Sequence, residues 1–115
     1  LALYDSDASL GAGTTAYTTS EEITNTSGTA YSAKGKALTS VTPTLDSSTA
    51  VCDFADVSWT SASFTARGCM IFNDSHSTDA SVCVIDFGGD KTATSGTFTI
   101  QFPTADATNA IIRIA

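Results

Sequence analysis

The chain has 115 residues, of which 42% are hydrophobic and only 15% charged, and its twelve acidic and five basic residues give a net charge of −7. This length predicts one domain with its own core, while the shortage of basic residues excludes a nucleic-acid surface and disfavours an anionic membrane. Serine and threonine are abundant instead of charged residues, and threonine suits a half-buried strand, so the composition favours an all-β fold.

The first predicted strand is LALYD at 1–5, and a long Gly-, Ser- and Thr-rich loop follows at 6–33. A connection of that length inside a compact domain is usually functional or held in place by contacts. Tyr17 and Tyr31 lie in the loop, and Tyr4 lies just before it. Because tyrosine supplies contact area at low entropic cost, we expect these tyrosines at an interface with a partner protein.

Short patterns in and after this loop have weaker meanings. SEEI at 20–23 could form one helical turn capped by its serine. NTS at 25–27 and NDS at 73–75 fit the N-glycosylation pattern, but a chain so rich in serine and threonine contains such matches by chance.

Further strand patterns follow at short intervals, with turn residues such as GDKTATSG (89–96) between them. Pro43 marks an edge, a bulge or a strand end, and the longest pattern can be two strands or one strand with a bulge near 61–63 or at Gly68. Seven to eight strands predict a single domain, 1–115, in which two antiparallel sheets form a jelly-roll-like sandwich. The patterns lie at 35–45, 49–56, 57–74, 80–88, 97–102 and 110–115.

No combination of residues predicts an enzyme. His76, the single histidine, lies in the polar turn NDSHSTDAS, and adjacent residues on one turn cannot hold the geometry of a catalytic triad. DFG at 86–88 matches the kinase magnesium motif in letters alone, because the chain is too short for the other kinase elements. We therefore expect no catalytic residues and no cofactor.

Metal and disulfide sites are also weakly supported. Three acidic pairs could offer oxygens to calcium, but none has the spacing of an EF-hand loop. The three cysteines match no zinc motif and are expected to be buried thiols, with a disulfide across packed strands as the alternative. The acidic pairs are Asp5 with Asp7, Asp74 with Asp79 and Asp86 with Asp90; the cysteines are Cys52, Cys69 and Cys83.

Five blocks that cover nearly the whole chain resemble a family of small virion proteins of tailed bacteriophages. They are ALYDSDASL, TAYSAKGKALTS, FADVSWTSASFTARGCMIF, VCVIDFGGDKTATSGTFTIQFP and the terminal AIIRIA. The order of T-A-R-G before D-F-G is moderately specific, whereas either motif alone would be weak.

The resemblance implies a non-enzymatic capsid cement or decoration protein with a jelly-roll-like sandwich. Such a protein binds the outer surface of the virion, on an HK97-type shell, and bridges capsomers. Its partners would be the major capsid protein and copies of itself in a dimer or trimer, with no direct contact to nucleic acid or membrane. In that setting we expect Arg67 to be held by Asp56 or Asp86 at an inter-strand or intersubunit contact, and Arg113 to lie at a similar contact.

The residues leave a second interpretation open, a tail- or fibre-associated β-sandwich that recognises a host glycan. Trp59 and the tyrosines could stack on sugar rings, although Trp59 also fits a core or interface anchor. Aromatic side chains clustered at loop tips would favour this interpretation over the capsid protein.

Overall fold

The computed structural model describes residues 1–24 and 28–115, so the NTS pattern at 25–27 lies outside the described residues. In the described part the fold is all-β without a helix, and six strands form two antiparallel sheets of three strands each. The predicted all-β class is confirmed, whereas the predicted count of seven to eight strands is not. The strands are β1 (Ala2–Tyr4), β2 (Ser40–Asp46), β3 (Thr49–Phe54), β4 (Val57–Asn73), β5 (Ala80–Ile100) and β6 (Ile112–Ile114).

The lower strand count comes from the length of β4 and β5, which have 17 and 21 residues. The turn predicted at 89–96 is wrong, because these residues continue β5. Two features accompany the continuation of β5 through these residues. The hydroxyl oxygens of Thr65 and Thr92 lie 2.7 Å apart across the two strands, and Gly88, at φ +75°, takes a left-handed conformation typical of a bulge.

The first sheet has the order β1-β4-β5 and contains most of the aromatic core. The bulge predicted near 61–63 is confirmed, since Ser61 has φ +51°. It brings Trp59 and Phe64 to one cluster, with ring centroids 6.3 Å apart in an edge-to-face arrangement. Phe64 also packs on Phe98 at 4.9 Å. Trp59 is 1% exposed, so the prediction of a buried anchor is confirmed.

The second sheet has the order β2-β3-β6. Its first strand contains Pro43, and the register between β2 and β3 shifts between Val41 and Thr44. Proline has no N–H for the ladder, so it is accommodated at this irregularity on an edge strand, as the sequence predicted.

The contacts divide the chain into two compact units. One comprises Leu1–Lys36 with Trp59–Phe98, and the other comprises Ala37–Ser58 with Thr99–Ala115. The first unit contains the long loop and nearly all of the β1-β4-β5 sheet, and the second contains the β2-β3-β6 sheet. That 1–115 form a single sandwich domain stays a prediction.

The long loop after β1 contains no regular strand or helix in its described residues. The helical turn predicted at SEEI is wrong, because this stretch extends the edge of β1 instead. Asp5 N donates to Glu21 O at 3.1 Å, and Ile23 N donates to Leu3 O at 3.0 Å. The loop therefore satisfies backbone groups that an edge strand would otherwise leave open.

Gly68, the last residue of T-A-R-G, allows the close approach of β4 to β5. A Cβ added there would lie 2.6 Å from the backbone oxygen of Ile85, which cannot move as a side chain could. We expect Gly68→Ala to lower the free energy of unfolding by about 1–3 kcal/mol, because the strands must separate. Gly11→Ala is the matched control, since nothing lies within 4 Å of its added Cβ. Urea unfolding of both variants checks this, and equal stabilities would contradict it.

Candidate interaction surface

The carboxylate of Glu22 joins the long loop to β1. Glu22 is 9% exposed, and its carboxylate accepts hydrogen bonds from the Tyr17 hydroxyl at 2.5 Å, the Tyr31 hydroxyl at 2.7 Å and Lys34 N at 2.7 Å. The Tyr31 hydroxyl also accepts a hydrogen bond from Leu3 N at 3.0 Å. A buried carboxylate is stabilised when its oxygens are satisfied in this way. The sequence analysis missed this role of Glu22.

These contacts bear on the prediction that Tyr4, Tyr17 and Tyr31 lie at an interface with a partner. Tyr4 and Tyr31 are each 1% exposed, so their rings belong to the core of the chain and offer no surface to a partner. The reason is that each hydroxyl finds an acceptor inside: Tyr4 donates to Thr18 O at 2.8 Å, and Tyr31 donates to Glu22. Tyr17 is half-buried and stacks on Phe72 at 4.9 Å.

Burial and the Glu22 carboxylate also make these tyrosines hard to ionise. Burial, with the charge of Glu22 as a smaller cause, raises the pKa of Tyr4 to about 12. Burial followed by the hydrogen bond to Glu22 raises the pKa of Tyr17 and of Tyr31 above the usual tyrosine value. In each case the charged form would be a phenolate beside a carboxylate in a region with little water.

Lys34 fastens the other end of the loop to the turn between β4 and β5. Its Nζ lies 2.7 Å from Asp74 and 3.0 Å from Asp79, and 5.7 Å from the centre of the Tyr17 ring. One of the acidic pairs considered for calcium is therefore bridged by an ammonium group.

Arg67 does the same for a second acidic pair. Its Nε donates to Asp86 Oδ1 at 2.9 Å, and its Nη1 lies 3.9 Å from Asp90 Oδ1. The expected partner Asp86 is thus confirmed, whereas Asp56 accepts a hydrogen bond from Phe102 N. The hydrogen bond from Arg67 holds the pKa of Asp86 below its usual value. Because the Arg67 side chain is 41% exposed, the pair contributes little to stability.

The third acidic pair gains a neighbour that the sequence did not suggest. Carboxylate oxygens of Asp5, Asp7 and Glu21 lie within 4.8 Å of one another. Asp5 is half-buried and the other two are exposed, and Asp5 Oδ1 also accepts a hydrogen bond from Asp7 N at 2.9 Å. Acidic clusters in this kind of setting are common without an ion, so the arrangement alone does not define a metal site.

Cysteine and histidine chemistry is limited in the described residues. All three cysteines are free, so the alternative of a disulfide across packed strands is not what the structure shows. Cys69 is buried as predicted, whereas Cys52 and Cys83 are only half-buried. Burial raises the pKa of the Cys69 thiol to about 12. His76 is exposed in its turn, and its Nδ1 accepts a hydrogen bond from Thr78 N at 3.2 Å.

In the second unit, one face of the β2-β3-β6 sheet is covered by the segment before β6. Arg113 Nη1 donates to Ala107 O at 3.0 Å, and Ala107 N donates to Asp46 Oδ2 at 2.7 Å. Arg113 therefore has an intrachain partner, and this contact occupies the face of the sheet to which Arg113 and Asp46 belong.

The opposite face carries an uncharged row of side chains. Leu45 pairs with Ala50, and Ala50 pairs with Ile114, so the three residues lie side by side across the sheet. Leu45 is 70% exposed and Ile114 is 69% exposed. Cys52 and Ile112 pair on the same face. We call this surface, formed by Leu45, Ala50, Cys52, Ile112 and Ile114, the apolar face.

Comparisons with known proteins found no matching family model, no matching curated protein and no matching solved structure. The resemblance to phage virion proteins therefore stays a prediction. Among the described residues, no helix is long and apolar enough to cross a membrane.

We expect Glu22→Gln to lower the free energy of unfolding by about 2 kcal/mol or more. The amide replaces one accepting oxygen by a donor, which would face a tyrosine hydroxyl or the Lys34 N–H, and hydrogen bonds to a charged group are the stronger ones. The adjacent, exposed Glu21 provides the control: Glu21→Gln is the same chemical change and should be neutral or slightly stabilising, because it removes one charge from the cluster with Asp5 and Asp7. Urea unfolding measures both, and a Glu22→Gln variant as stable as the control would contradict the role assigned to the carboxylate.

We also expect stability to fall in alkaline solution. The pKa of Cys69 rises from 9.0 to about 12 on folding, and that of Tyr4 rises from 10.0 to about 12. The unfolded chain therefore loses these protons first, so the stabilisation is complete below pH 9 and is lost as the pH rises toward 12. Each such group contributes a slope of at most about 1.4 kcal/mol per pH unit within its window.

Unfolding by urea at a series of pH values, with tyrosinate absorbance as a second signal, measures this slope. Tyr31→Phe removes one titrating hydroxyl and should make the slope shallower. If the wild-type stability stays constant from pH 9 to 12, the expected coupling between burial and ionisation is wrong.

Proposed function

We propose that this chain is a structural protein of a tailed-bacteriophage virion, a capsid cement or decoration protein. It binds the outer surface of an HK97-type shell, bridges neighbouring capsomers and contacts the major capsid protein and copies of itself. The five sequence blocks support the class of virion protein. A jelly-roll-like sandwich and a dimer or trimer belong to the same proposal.

The observation that carries a binding role is the apolar face. Leu45 and Ile114 are large aliphatic residues that are mostly exposed, and the paired positions around them carry no charge. Exposed contiguous apolar surface in a soluble protein marks a site of protein interaction. A structural protein that acts by binding would use a surface of this kind.

The size of the apolar face fits many weak contacts better than one strong contact. Three strands about 4.8 Å apart, each over about three residues, present roughly 150 Å² of sheet. A stable pairwise interface needs about 800 Å² from each partner. A cement protein can bind through smaller contacts, because a shell repeats each contact by symmetry and so adds avidity to a weak site. The net charge of −7 keeps free copies apart in solution.

The described residues give no support to the alternative, a tail or fibre module that binds a glycan. Trp59, Tyr4 and Tyr31 are each 1% exposed, so their rings cannot stack on a sugar. Tyr17 is half-buried, with its ring against Phe72.

Shells assembled from the major capsid protein of the same genome provide the test. The wild-type chain should bind them at high occupancy, while Leu45→Lys and Ile114→Lys should each lower the affinity about tenfold or more, since each places a charge in a contact that excludes water. Thr94→Lys, at an exposed position of β5, is the matched control. Occupancy is measured by cosedimentation and by cryo-electron microscopy.

The possible failures are distinct. A wild-type chain that does not bind the shell would overturn the proposed function. Normal binding by both lysine variants at 45 and 114 would keep the function and remove the apolar face as its contact.

A further inference from the structure

β5 is the outermost strand of the β1-β4-β5 sheet, and the described residues place no further strand beyond it. Only the beginning of this edge is covered. Ala16 forms an isolated antiparallel bridge with Ala80, with hydrogen bonds from Tyr17 N to Asp79 O and from Ser81 N to Thr15 O, both at 2.9 Å. The edge of β5 therefore already accepts one short antiparallel segment.

The pairing stops because the loop turns on itself. Thr14 N donates to Gly11 O at 3.0 Å, and Gly11 N donates to Thr14 Oγ1 at 2.9 Å. These backbone groups are used within the turn and do not reach β5. The loop residues 10–13 and the strand residues 82–86 consequently separate and flank a groove of about 740 Å³, whose lining also includes Thr14, Thr15 and Ser81. We call it the edge groove.

The walls of the edge groove are apolar and nearly uncharged. Leu10 and Val84 pack against the buried cluster of Ala2, Tyr4 and Met70, so the groove has a fixed floor. Val82 lies in the groove and is 52% exposed. Asp86 is the one charged residue among those that line it, and Arg67 already pairs with Asp86.

We infer that the edge groove binds an extended segment of another protein, which adds to β5 as a further strand. The open edge of a strand offers backbone donors and acceptors at a spacing that another strand matches. The five residues 82–86 of β5 at about 3.3 Å each give a slot roughly 17 Å long, enough for about five residues. Small apolar side chains at alternate positions of the ligand would contact Val82 and Val84.

Charge further restricts which segments can bind in the edge groove. With a net charge of −7 and a groove whose single charged residue is acidic, an acidic segment would be repelled, whereas a neutral or basic segment would not. The ligand is therefore an extended, neutral or basic segment with alternating small apolar residues. This inference does not depend on the proposed function, because it makes no use of the apolar face or of the capsid.

A capped peptide of alternating valine and threonine with one lysine at each end is the probe. Titrated into the isotopically labelled full chain, it should shift backbone amide signals of 10–15 and 81–86 and slow their hydrogen exchange. The same peptide with alternate backbone nitrogens methylated should bind at least about tenfold more weakly, because it lacks the ladder donors on one edge. Val82→Lys should weaken binding by a similar factor.

Val41→Lys is the matched control, since Val41 is an exposed valine on β2, outside the edge groove; it should bind the probe like the wild type. Thermal unfolding of both variants establishes that they fold. The inference is overturned if millimolar probe causes no shifts, if the shifts fall elsewhere, or if the methylated peptide binds equally well. Slow hydrogen exchange of the 82–86 amides without probe would also overturn it. Protection that does not depend on protein concentration would mean that the loop already closes over this edge, and protection that rises with concentration would mean that copies of the chain associate there.

Discussion

The fold of the first unit depends on one buried carboxylate. The oxygens of Glu22 are satisfied by two phenolic hydroxyls and one backbone N–H. Because an ionised group is costly to bury, these donors must all be in place together. They come from distant parts of the loop, so a single side chain fixes a segment that has no regular secondary structure. Through Tyr31 and Leu3 the same network reaches the first strand.

Two cationic side chains of the first unit also hold separate segments together, nearer the surface. Lys34 and Arg67 each bridge two aspartates and so use positive charge within the chain. Little cationic side chain is left to attract an acidic partner. In the described residues, the apolar face and the edge groove are both nearly free of charge. Interaction through such surfaces relies on shape and on backbone pairing, which suits an acidic protein with few basic residues.

Local patterns in the sequence predicted the strands well, because alternation and turn chemistry act over a few residues. The bulge at Ser61 and the edge position of Pro43 were predictable in this way, and Asp86 was one of two partners expected for Arg67. The predicted turn at 89–96 was wrong because pairing with β4 overrode the local preference of glycine and aspartate. The role of Glu22 depends on contacts between residues far apart in the chain, and periodicity carries no information about these. Tyr4 and Tyr31 were expected at an interface and are buried for the same reason, because their positions in the sequence do not reveal that the rings turn inward.

The burial of β1 has a consequence for synthesis of the protein. Ala2 and Leu3 are fully buried, yet their strand partners Met70 and Cys69 lie near the end of β4. On the ribosome, β1 is made before its partner residues in β4 and has no strand partner while the intervening residues, more than half of this chain, are translated. Pairings this distant in sequence slow folding and produce intermediates whose exposed apolar surface can aggregate. The hydroxyl-rich, weakly charged stretch that follows β1 gives the nascent chain few other apolar segments with which to aggregate during that wait.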